Sequence, residues 1–160
     1  MLKLISMKII LTCILSFFNM FNFSGDIVRD NYFYDQLKHV NSICVYNDGR
    51  VNVFDNTSFN FIIEELKNVF GFAREMPAIG VALHDEIKNE LNSGIWVELS
   101  FDKIYSHAEM PYEKLLINVC DGWTGFNIFR CYNGRYEGRC YYVDLVNYNT
   151  SILYQKLRNI

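Results

Sequence analysis

Two dipeptides, Asp48-Gly49 and Asn133-Gly134, constrain the fold of this chain more than any other feature of its sequence. Each lies between runs in which apolar and polar residues alternate, at residues 42–54 and 129–142. Asp-Gly and Asn-Gly favour two-residue hairpin loops, because the turns that fit twisted strands need φ > 0 at both central residues. The sequence therefore predicts two antiparallel β-hairpins.

Helical patterns surround these hairpins. Apolar residues recur at helical spacing from Phe59 to Phe70 and Gly71 follows them, which is typical of a helix with a glycine at its C-terminal end. The alternation of residues 95–102 predicts a half-buried strand. Similar helical patterns predict three shorter helices, at residues 30–40, 84–94 and 149–160. The predicted fold class is α+β, with an antiparallel sheet of about five or six strands and helices packed on one face.

The first 25 residues have a composition of their own. Lys3 and Lys8 precede an apolar run at residues 9–18, an order that is typical of a signal peptide. No small residues stand at the spacing that a cleavage site needs, and the wider apolar stretch is close to the length of a membrane span. We therefore expect residues 1–25 to be a signal peptide or an N-terminal membrane anchor, followed by a single α+β domain at residues 26–160.

This leader predicts where the protein resides. With residues 1–25 cleaved the domain is secreted, and with them retained it is tethered to a membrane. The alternative is a cytoplasmic protein in which the same residues form a buried helix or precede the true start of translation, for which Met7 is a candidate.

The charge of the chain disfavours one class of partner. The net charge is −3, and the leader holds two of the 15 basic residues but none of the 18 acidic ones, so residues 26–160 carry a net charge of −5. A domain that binds nucleic acid through phosphate contacts is expected to be basic. We therefore expect no general nucleic-acid binding.

The second hairpin, FRCYNGRYEGRCYY at residues 129–142, concentrates arginine and tyrosine. A two-residue loop at Asn133-Gly134 predicts a register in which Tyr132 lies opposite Arg135. Two further pairs follow from the same register: Arg130 lies opposite Glu137, and Ile128 lies opposite Arg139. One face of the hairpin is then polar and aromatic, and it comprises Arg130, Tyr132, Arg135, Glu137, Arg139 and Tyr141.

We interpret this face as a binding surface for an unknown protein partner. Trp123 lies in a turn bracketed by Gly122 and Gly125, a position that is typical of a contact residue. The candidate binding residues are therefore Arg130, Tyr132, Arg135, Arg139, Tyr141 and Trp123. The alternative is a solvated sheet face whose charges form cross-strand ion pairs.

The cysteines indicate neither a metal site nor a fixed disulfide framework. The sequence contains five cysteines and no Cys-x-x-Cys pair, so we expect no metal and no cofactor. The predicted register separates Cys131 from Cys140 by roughly 13 Å along the strands, which is too far for a disulfide. We expect both to be buried thiols. In an exported domain, two bridges among the four cysteines beyond the leader, which include Cys44 and Cys120, stay open as an alternative.

A second candidate site lies on the alternating strand. Glu98 and Asp102 face one way on this strand, and His107 follows in a polar loop. Two carboxyl groups and an imidazole can act as general acid and base, which would suit a small hydrolase-like enzyme. No nucleophile elbow, zinc-protease motif, phosphate-binding loop or dinucleotide fingerprint accompanies them.

These observations predict a non-catalytic protein-binding module, exported or tethered to a membrane, for which an inhibitor- or immunity-like role is a fold-level analogy. The alternative is a hydrolase-like enzyme that uses Glu98, Asp102 and His107. A weaker alternative is a carbohydrate-binding domain that uses Trp123 and the tyrosines.

Overall fold

The computed structural model describes residues 31–55, 58–78 and 80–160. The leader predicted at residues 1–25 lies outside this part of the chain. None of the helices in the described ranges is long and apolar enough to cross a membrane.

Four α-helices occur in the described ranges: α1 (Tyr32–Gln36), α2 (Asn60–Phe70), α3 (His84–Glu90) and α4 (Ser151–Arg158). A short 3-10 turn, Leu37–His39, follows α1. The backbone N–H of Phe33 donates to Asn31 Oδ1 over 2.8 Å at the start of α1, and that of Ser151 donates to Asn149 Oδ1 over 3.0 Å at the start of α4. These side chains satisfy N–H groups that have no partner within the helix.

Ten strands occur in the same described ranges. They are β1 (Val40–Asn47), β2 (Arg50–Phe54), β3 (Ala73–Met76), β4 (Val81–Ala82), β5 (Ile95–His107), β6 (Met110–Val119), β7 (Gly125–Tyr132), β8 (Arg135–Tyr136), β9 (Gly138–Arg139) and β10 (Tyr141–Leu145). The main sheet has the order β2-β1-β5-β6-β7-β10-β3, with β8 paired to β7, and β4 and β9 form a separate pair. All the pairings between these strands are antiparallel.

The α+β class and the antiparallel sheet agree with the sequence-based prediction, but the strand count does not. The main sheet has eight strands, where about five or six were predicted. Strands β3 and β8 contain four and two residues. Alternation indicates strands poorly at this length, because β3 is at the lower limit of the range of about four to eight residues over which the pattern can be recognised and β8 is below it.

Both predicted hairpin turns are confirmed. The φ angles are 49° and 80° at Asp48 and Gly49, and 51° and 73° at Asn133 and Gly134. Positive φ at both central residues gives the two-residue loop whose twist matches the flanking strands. Each loop therefore starts its hairpin in the predicted register.

The second hairpin departs from its predicted register after two pairs. Tyr132 lies opposite Arg135 and Cys131 opposite Tyr136, as predicted. The chain then leaves β7, and Gly138 and Arg139 pair with β4. When the chain returns as β10, Tyr141 lies opposite Ile128, where Arg139 was predicted. The predicted cross-strand pair of Arg130 with Glu137 is therefore not formed.

Two apolar clusters lie on opposite faces of the main sheet. The first packs the sheet against α1, α2 and α4 and contains Phe33, Leu66, Leu153, Val97 and Ile117 among others. The second packs the sheet against α3 and comprises Ala82, Ile87, Leu91, Trp96, Leu116, Cys131, Tyr136 and Cys140. Neighbouring strand residues such as Trp96 and Val97 fall in different clusters, because successive side chains of a strand point to opposite faces. Helices α1, α2 and α4 thus share one face, and α3 contributes to the other.

Candidate functional site

A small outer layer covers the second cluster and carries an exposed surface. Strand β4 pairs with β9, with Val81 opposite Arg139. Ala82 is buried in the second cluster, and its neighbours Val81 and Leu83 are 68% and 54% exposed. The β4–β9 surface, as we name it, comprises Val81, Leu83, Asp85, Glu86, Arg135, Glu137 and Arg139.

The same alternation builds the hairpin side of this surface. Tyr136 and Cys140 are buried in the second cluster, while Arg135, Glu137 and Arg139 are exposed. The charged side chains therefore point outward because the intervening residues anchor the strand to the core. Sequence alternation at residues 135–139 carries this signal, although the strands that it produces are only two residues long.

A cleft runs between the start of α3 and the hairpin. Its volume is about 370 Å³, near the lower end of the range for ligand pockets. Its lining combines one apolar side chain with an imidazole and four charged groups, namely Leu83, His84, Asp85, Glu86, Arg135 and Glu137. One predicted binding residue, Arg135, is therefore part of a concave surface.

His84 lines this cleft and contacts the hairpin across it. Its Nδ1 accepts a hydrogen bond of 3.1 Å from the backbone N–H of Tyr136, and the two rings stack with centroids 6.2 Å apart. The bond requires an unprotonated Nδ1. His84 thus connects α3 directly to β8.

The hairpin arginines hold neighbouring parts of the chain. Arg135 Nε donates to Glu137 Oε2 over 2.8 Å, and Arg139 Nη2 donates to the carbonyl of Ala78 over 3.1 Å. Both are nevertheless exposed. The hydrogen bond that Arg135 donates to Glu137 raises the pKa of Arg135 further above neutral pH, so its guanidinium is charged.

Arg130 differs from these two arginines. It is half-buried, and its Nη1 donates to the carbonyl of Pro111 over 3.2 Å while its Nε donates to that of Arg139 over 3.3 Å. The predicted role of Arg130 in an exposed ion pair is therefore replaced by one in which it ties β6 and β9 together.

Tyr141 is not on an exposed face, contrary to the prediction. Its side chain is 1% exposed and belongs to the first cluster, and its hydroxyl donates to the carbonyl of Met110 over 2.9 Å. Burial raises the pKa of Tyr141. The reason is that Tyr141 lies opposite Ile128, on the part of the sheet that helices cover. Tyr132 is half-buried at the end of β7.

Trp123 lies away from the other predicted binding residues. Its side chain is 47% exposed and its backbone N–H donates to Thr150 Oγ1 over 3.1 Å. Trp123 precedes β7 and the Asn133-Gly134 turn follows it, so the strand separates them by about 26 Å. Trp123 and the hairpin therefore do not form one continuous surface.

The structure does not bring Glu98, Asp102 and His107 together. Glu98 is 6% exposed and accepts a hydrogen bond of 2.9 Å from Lys114 Nζ. Asp102 is exposed. Measured along β6, the pairing partners of Glu98 and His107 are six residues apart, which is about 20 Å of strand. A hydrolase site built from all three is therefore not formed.

His107 instead belongs to a cluster that the sequence did not indicate. Its Nε2 lies 2.6 Å from Glu75 Oε1, and its ring stacks on Tyr32 with centroids 3.9 Å apart. The hydroxyl groups of Tyr32 and Tyr112 are 2.9 Å apart. Glu75 and His107 are separated by 32 residues, so no local pattern could have paired them. The cluster joins α1, the edge strand β3 and the β5–β6 hairpin.

The cysteines of the described ranges, Cys44, Cys120, Cys131 and Cys140, are free thiols. Cys131 and Cys140 are buried, each 2% exposed, as predicted. Burial, with a smaller contribution from Glu113, raises the pKa of Cys131 to about 11, and burial also raises the pKa of Cys140. Such thiols are protonated at neutral pH and are weak nucleophiles. Among the described residues, no group of three or more potential ligands is placed to hold a metal ion.

The sequence matches no protein-family model, and comparisons with curated proteins and with solved structures also give no match. The functional argument therefore depends on the residues of the β4–β9 surface and its cleft.

Proposed function

We propose that this chain is a non-catalytic protein-binding domain that contacts its partner through the β4–β9 surface. The observation that supports this proposal best is the exposure of two neighbouring apolar side chains, Val81 at 68% and Leu83 at 54%, beside the charged groups of the hairpin and of α3. An apolar centre with a polar rim is typical of a protein interface.

The charges around this centre have a definite arrangement. Arg139 lies directly opposite Val81, and Arg135 lines the cleft with Leu83. Asp85 and Glu86 lie in the first turn of α3. A partner that fits this surface would place an apolar side chain against Leu83 and Val81, an acidic group near Arg139 and a basic group near the start of α3.

The surface is also well ordered for binding. His84 connects α3 to β8, Arg139 connects β9 to Ala78, and the N–H of Cys140 donates to the carbonyl of Gly80 over 2.9 Å. Contacts that hold a surface in one conformation reduce the entropy lost on association. If residues 1–25 export or tether the domain, the surface would act outside the cytoplasm, in keeping with an inhibitor- or immunity-like role.

The geometry supports the alternative functions less well than it supports protein binding. The three residues of the hydrolase hypothesis are dispersed, with Glu98 occupied by Lys114 and His107 by Glu75. For carbohydrate binding, Trp123 stands apart from Tyr132, and Tyr141 is buried. We therefore propose neither as a second function.

The test is affinity capture from the native host with the tagged full-length chain. Leu83→Asp and Arg139→Glu change the centre and the rim, and Arg158→Glu, an exposed arginine in the last turn of α4, is the matched control. We expect a protein that the wild type and the control both capture to be captured at least about tenfold less by the first two variants, because they place a charge in the apolar centre or reverse one at the rim. Circular dichroism checks that each variant is folded.

Equal capture by all four proteins would overturn the assignment of this surface. A partner lost with Arg158→Glu but kept with Leu83→Asp would assign the binding site to α4 instead. A captured partner is then purified and titrated directly against the wild type and the variants.

A further inference from the structure

The two edges of the main sheet differ in how well they are protected from pairing with another strand. Strand β3 has four residues and exposes the charged side chains of Arg74 and Glu75. Pro77 follows it, and Asn31 Nδ2 donates to the carbonyl of Ala73 over 2.8 Å. Short length, charge, proline and an occupied backbone group are the usual means of preventing edge-to-edge association.

Strand β2, at the other edge, is only one residue longer, but between Arg50 and Phe54 it carries no charged residue and no proline. Its sequence is RVNVF, and its five pairs with β1 run without a bulge. Val51 and Val53 are 55% and 75% exposed. Among the described residues, no strand pairs with the outer edge of β2.

The hairpin register determines which backbone groups of β2 are available. The Asp48-Gly49 loop closes on Asn47 and Arg50, and the pair that flanks a two-residue loop is hydrogen-bonded. In an antiparallel ladder the bonding direction alternates, so Arg50, Asn52 and Phe54 bond to β1. The N–H and C=O groups of Val51 and Val53 therefore point away from the sheet.

We propose that β2 pairs with β2 of a second copy of this chain, antiparallel, about a twofold axis that passes beside Asn52. Val51 of each copy then lies opposite Val53 of the other, and the two pairs form four backbone hydrogen bonds. Asn52 lies opposite itself at the axis. The sheet continues across the interface without a change of face.

The sequence of β2 complements itself in this register. Val-Asn-Val is symmetric about Asn52, so the exposed valines of both copies form one apolar patch on the face that α3 covers elsewhere. On the other face, Arg50 of each copy lies opposite Phe54 of the other, whose ring contacts the 45% exposed Phe61 at a centroid distance of 6.0 Å. An arginine beside aromatic rings is a favourable contact.

The charges at the two ends of β2 agree with antiparallel pairing of identical strands. Arg50 begins the strand and Asp55 follows its last residue. Antiparallel pairing brings the basic end of one copy beside the acidic end of the other, at both ends of the interface. Parallel pairing would place like charges together, which is unfavourable.

The segment that precedes the described residues enters the fold at the opposite edge. Asn31 bonds to Ala73 of β3, and β2 is the last strand on the other side of the sheet. Six strand spacings of about 4.8 Å each separate the two edges by about 29 Å. Residues 1–30 would have to cross this distance to reach the β2 edge, whereas a second copy brings an identical RVNVF strand to it.

The first experiment uses the residue at the axis as a probe. In the full-length chain in mild detergent, Asn52→Cys places two thiols at a non-hydrogen-bonded pair about 4.5 Å apart between Cα atoms, within reach of a disulfide. Asn68→Cys, an exposed asparagine on α2, is the matched control. Mild oxidation is followed by non-reducing electrophoresis and peptide mass spectrometry.

We expect Asn52→Cys to form a disulfide between two copies of residue 52, at a yield at least about tenfold above the control, because the two thiols lie within reach of each other only in the paired dimer. Adding Val53→Lys should remove this excess, because a charge on an edge strand opposes pairing. Adding Val53→Thr, which keeps the β-branched shape, should retain most of it. Sedimentation equilibrium of the wild type and of Val53→Lys, without an engineered cysteine, should show a dimer for the first and a monomer for the second.

Three results would overturn the proposal. The first is a yield equal to that of Asn68→Cys together with a monomeric wild type. The second is a disulfide from residue 52 to Cys13, which would show that the chain's own leader occupies the edge. The third, on oxidation in cells, is a disulfide to a different protein in place of the second copy.

Discussion

Glu98 is a buried acidic residue of β5 in the main sheet. It is 6% exposed and accepts a hydrogen bond of 2.9 Å from Lys114 Nζ. A buried carboxylate is tolerated when a cation and a hydrogen bond replace the lost water. Partial burial of Lys114 lowers its pKa, but the hydrogen bond to Glu98 and the charge of Glu98 raise it. The net result is a raised pKa, in agreement with this contact. The residue that the sequence indicated as a catalytic acid is therefore occupied by a structural contact.

Lys114→Met should destabilise the protein by about 2 kcal/mol, because it leaves the carboxylate of Glu98 buried without its cation. Lys67→Met is the matched control: Lys67 also pairs with a glutamate, Glu64, at 2.8 Å, but that glutamate is 66% exposed. Such surface pairs contribute at most about 1 kcal/mol. Urea unfolding at pH 7 measures both. Equal effects of the two substitutions would contradict the role given to Glu98.

Cys131 makes the stability of the fold depend on pH in the alkaline range. Its thiol has a pKa of about 11 in the folded protein, above its ordinary value near 9.0, because it is buried. The unfolded chain thus loses this proton at lower pH than the folded one. The stabilisation is complete below pH 9 and is lost as the pH rises through about 11.

We therefore expect the free energy of unfolding to fall less steeply between pH 8.5 and pH 10.5 in Cys131→Ala than in the wild type. This holds whatever the effect of the substitution at pH 7. Burial also raises the pKa of Tyr46 and of Tyr112, so part of the slope will remain in the variant. Cys120→Ala removes a half-buried thiol whose pKa burial also raises, and it is the comparison that should flatten the fall less than Cys131→Ala does. Guanidinium titrations at intervals of half a pH unit measure the slopes. An unchanged slope in Cys131→Ala would show that this thiol titrates alike in both states.

At the scale of single residues, the sequence predicted what local rules determine. The positive φ at Asn133 and Gly134 follows from their own chemistry, and the burial of Cys131 and Cys140 follows from alternation with apolar neighbours. The contact between Glu75 and His107 could not be predicted, because it joins two strands that only the completed sheet brings together.

At the scale of elements, the second hairpin shows where local rules stop. Its turn and first two pairs follow the prediction, and the register then changes by two residues between Tyr136 and Tyr141. The cause is tertiary: β9 pairs with β4 instead of β7, and Gly138 at φ 86° allows the change of direction. No sequence pattern near the hairpin indicates that β9 pairs with β4. The β4–β9 surface, which forms at this departure, could therefore not be derived from the hairpin alone.

The face of the sheet on which α3 packs could not be predicted from the sequence, for a related reason. An amphipathic helix indicates that one of its faces is buried, but not which face of a sheet buries it. Ile87 and Leu91 pack with Trp96 and Leu116 in the second cluster. The cleft beside α3 depends on that choice, and so the candidate site was only partly visible, through Arg135 and Arg139.

Gly138 should tolerate substitution less well than Gly134. Both have positive φ, 86° and 73°, so Ala costs about 1 kcal/mol of backbone strain at each. A Cβ at Gly138 would also lie 2.6 Å from Arg130 Nη2, whereas nothing lies within 4 Å at Gly134. Gly138→Ala should therefore cost about 1 kcal/mol more, the value of the hydrogen bonds that Arg130 would lose.

Denaturant unfolding of both glycine variants, in the wild-type and in an Arg130→Ala background, separates strain from contact. In the second background the two glycine substitutions should cost the same, because the clashing group is absent. A difference that persists without the Arg130 side chain would show that the backbone of β9 itself, and not the arginine, rejects a side chain.

At the scale of the whole molecule, one sheet supports two apolar clusters. Leu116 and Ile117 are neighbours on β6, a strand in the middle of the sheet order. They are 0% and 1% exposed and belong to different clusters. If β6 left the sheet, the apolar side chains of both clusters would become exposed to solvent. The outer layer that carries the β4–β9 surface should therefore unfold together with the sheet and its three other helices.

Leu116→Ala and Ile117→Ala test this coupling directly, because they make cavities on opposite faces of the same strand. Each should cost about 3 kcal/mol, within the range for buried leucine and isoleucine. Trp96, which is 2% exposed in the second cluster, reports on that cluster by fluorescence once Trp123→Phe removes the exposed indole. Far-UV circular dichroism reports on all the helices. We expect both signals to shift together in both variants, as in a two-state transition. If Leu116→Ala shifted the fluorescence alone, α3 and the β4–β9 layer would form a separate, less stable unit, and partner binding could then be regulated by its local unfolding.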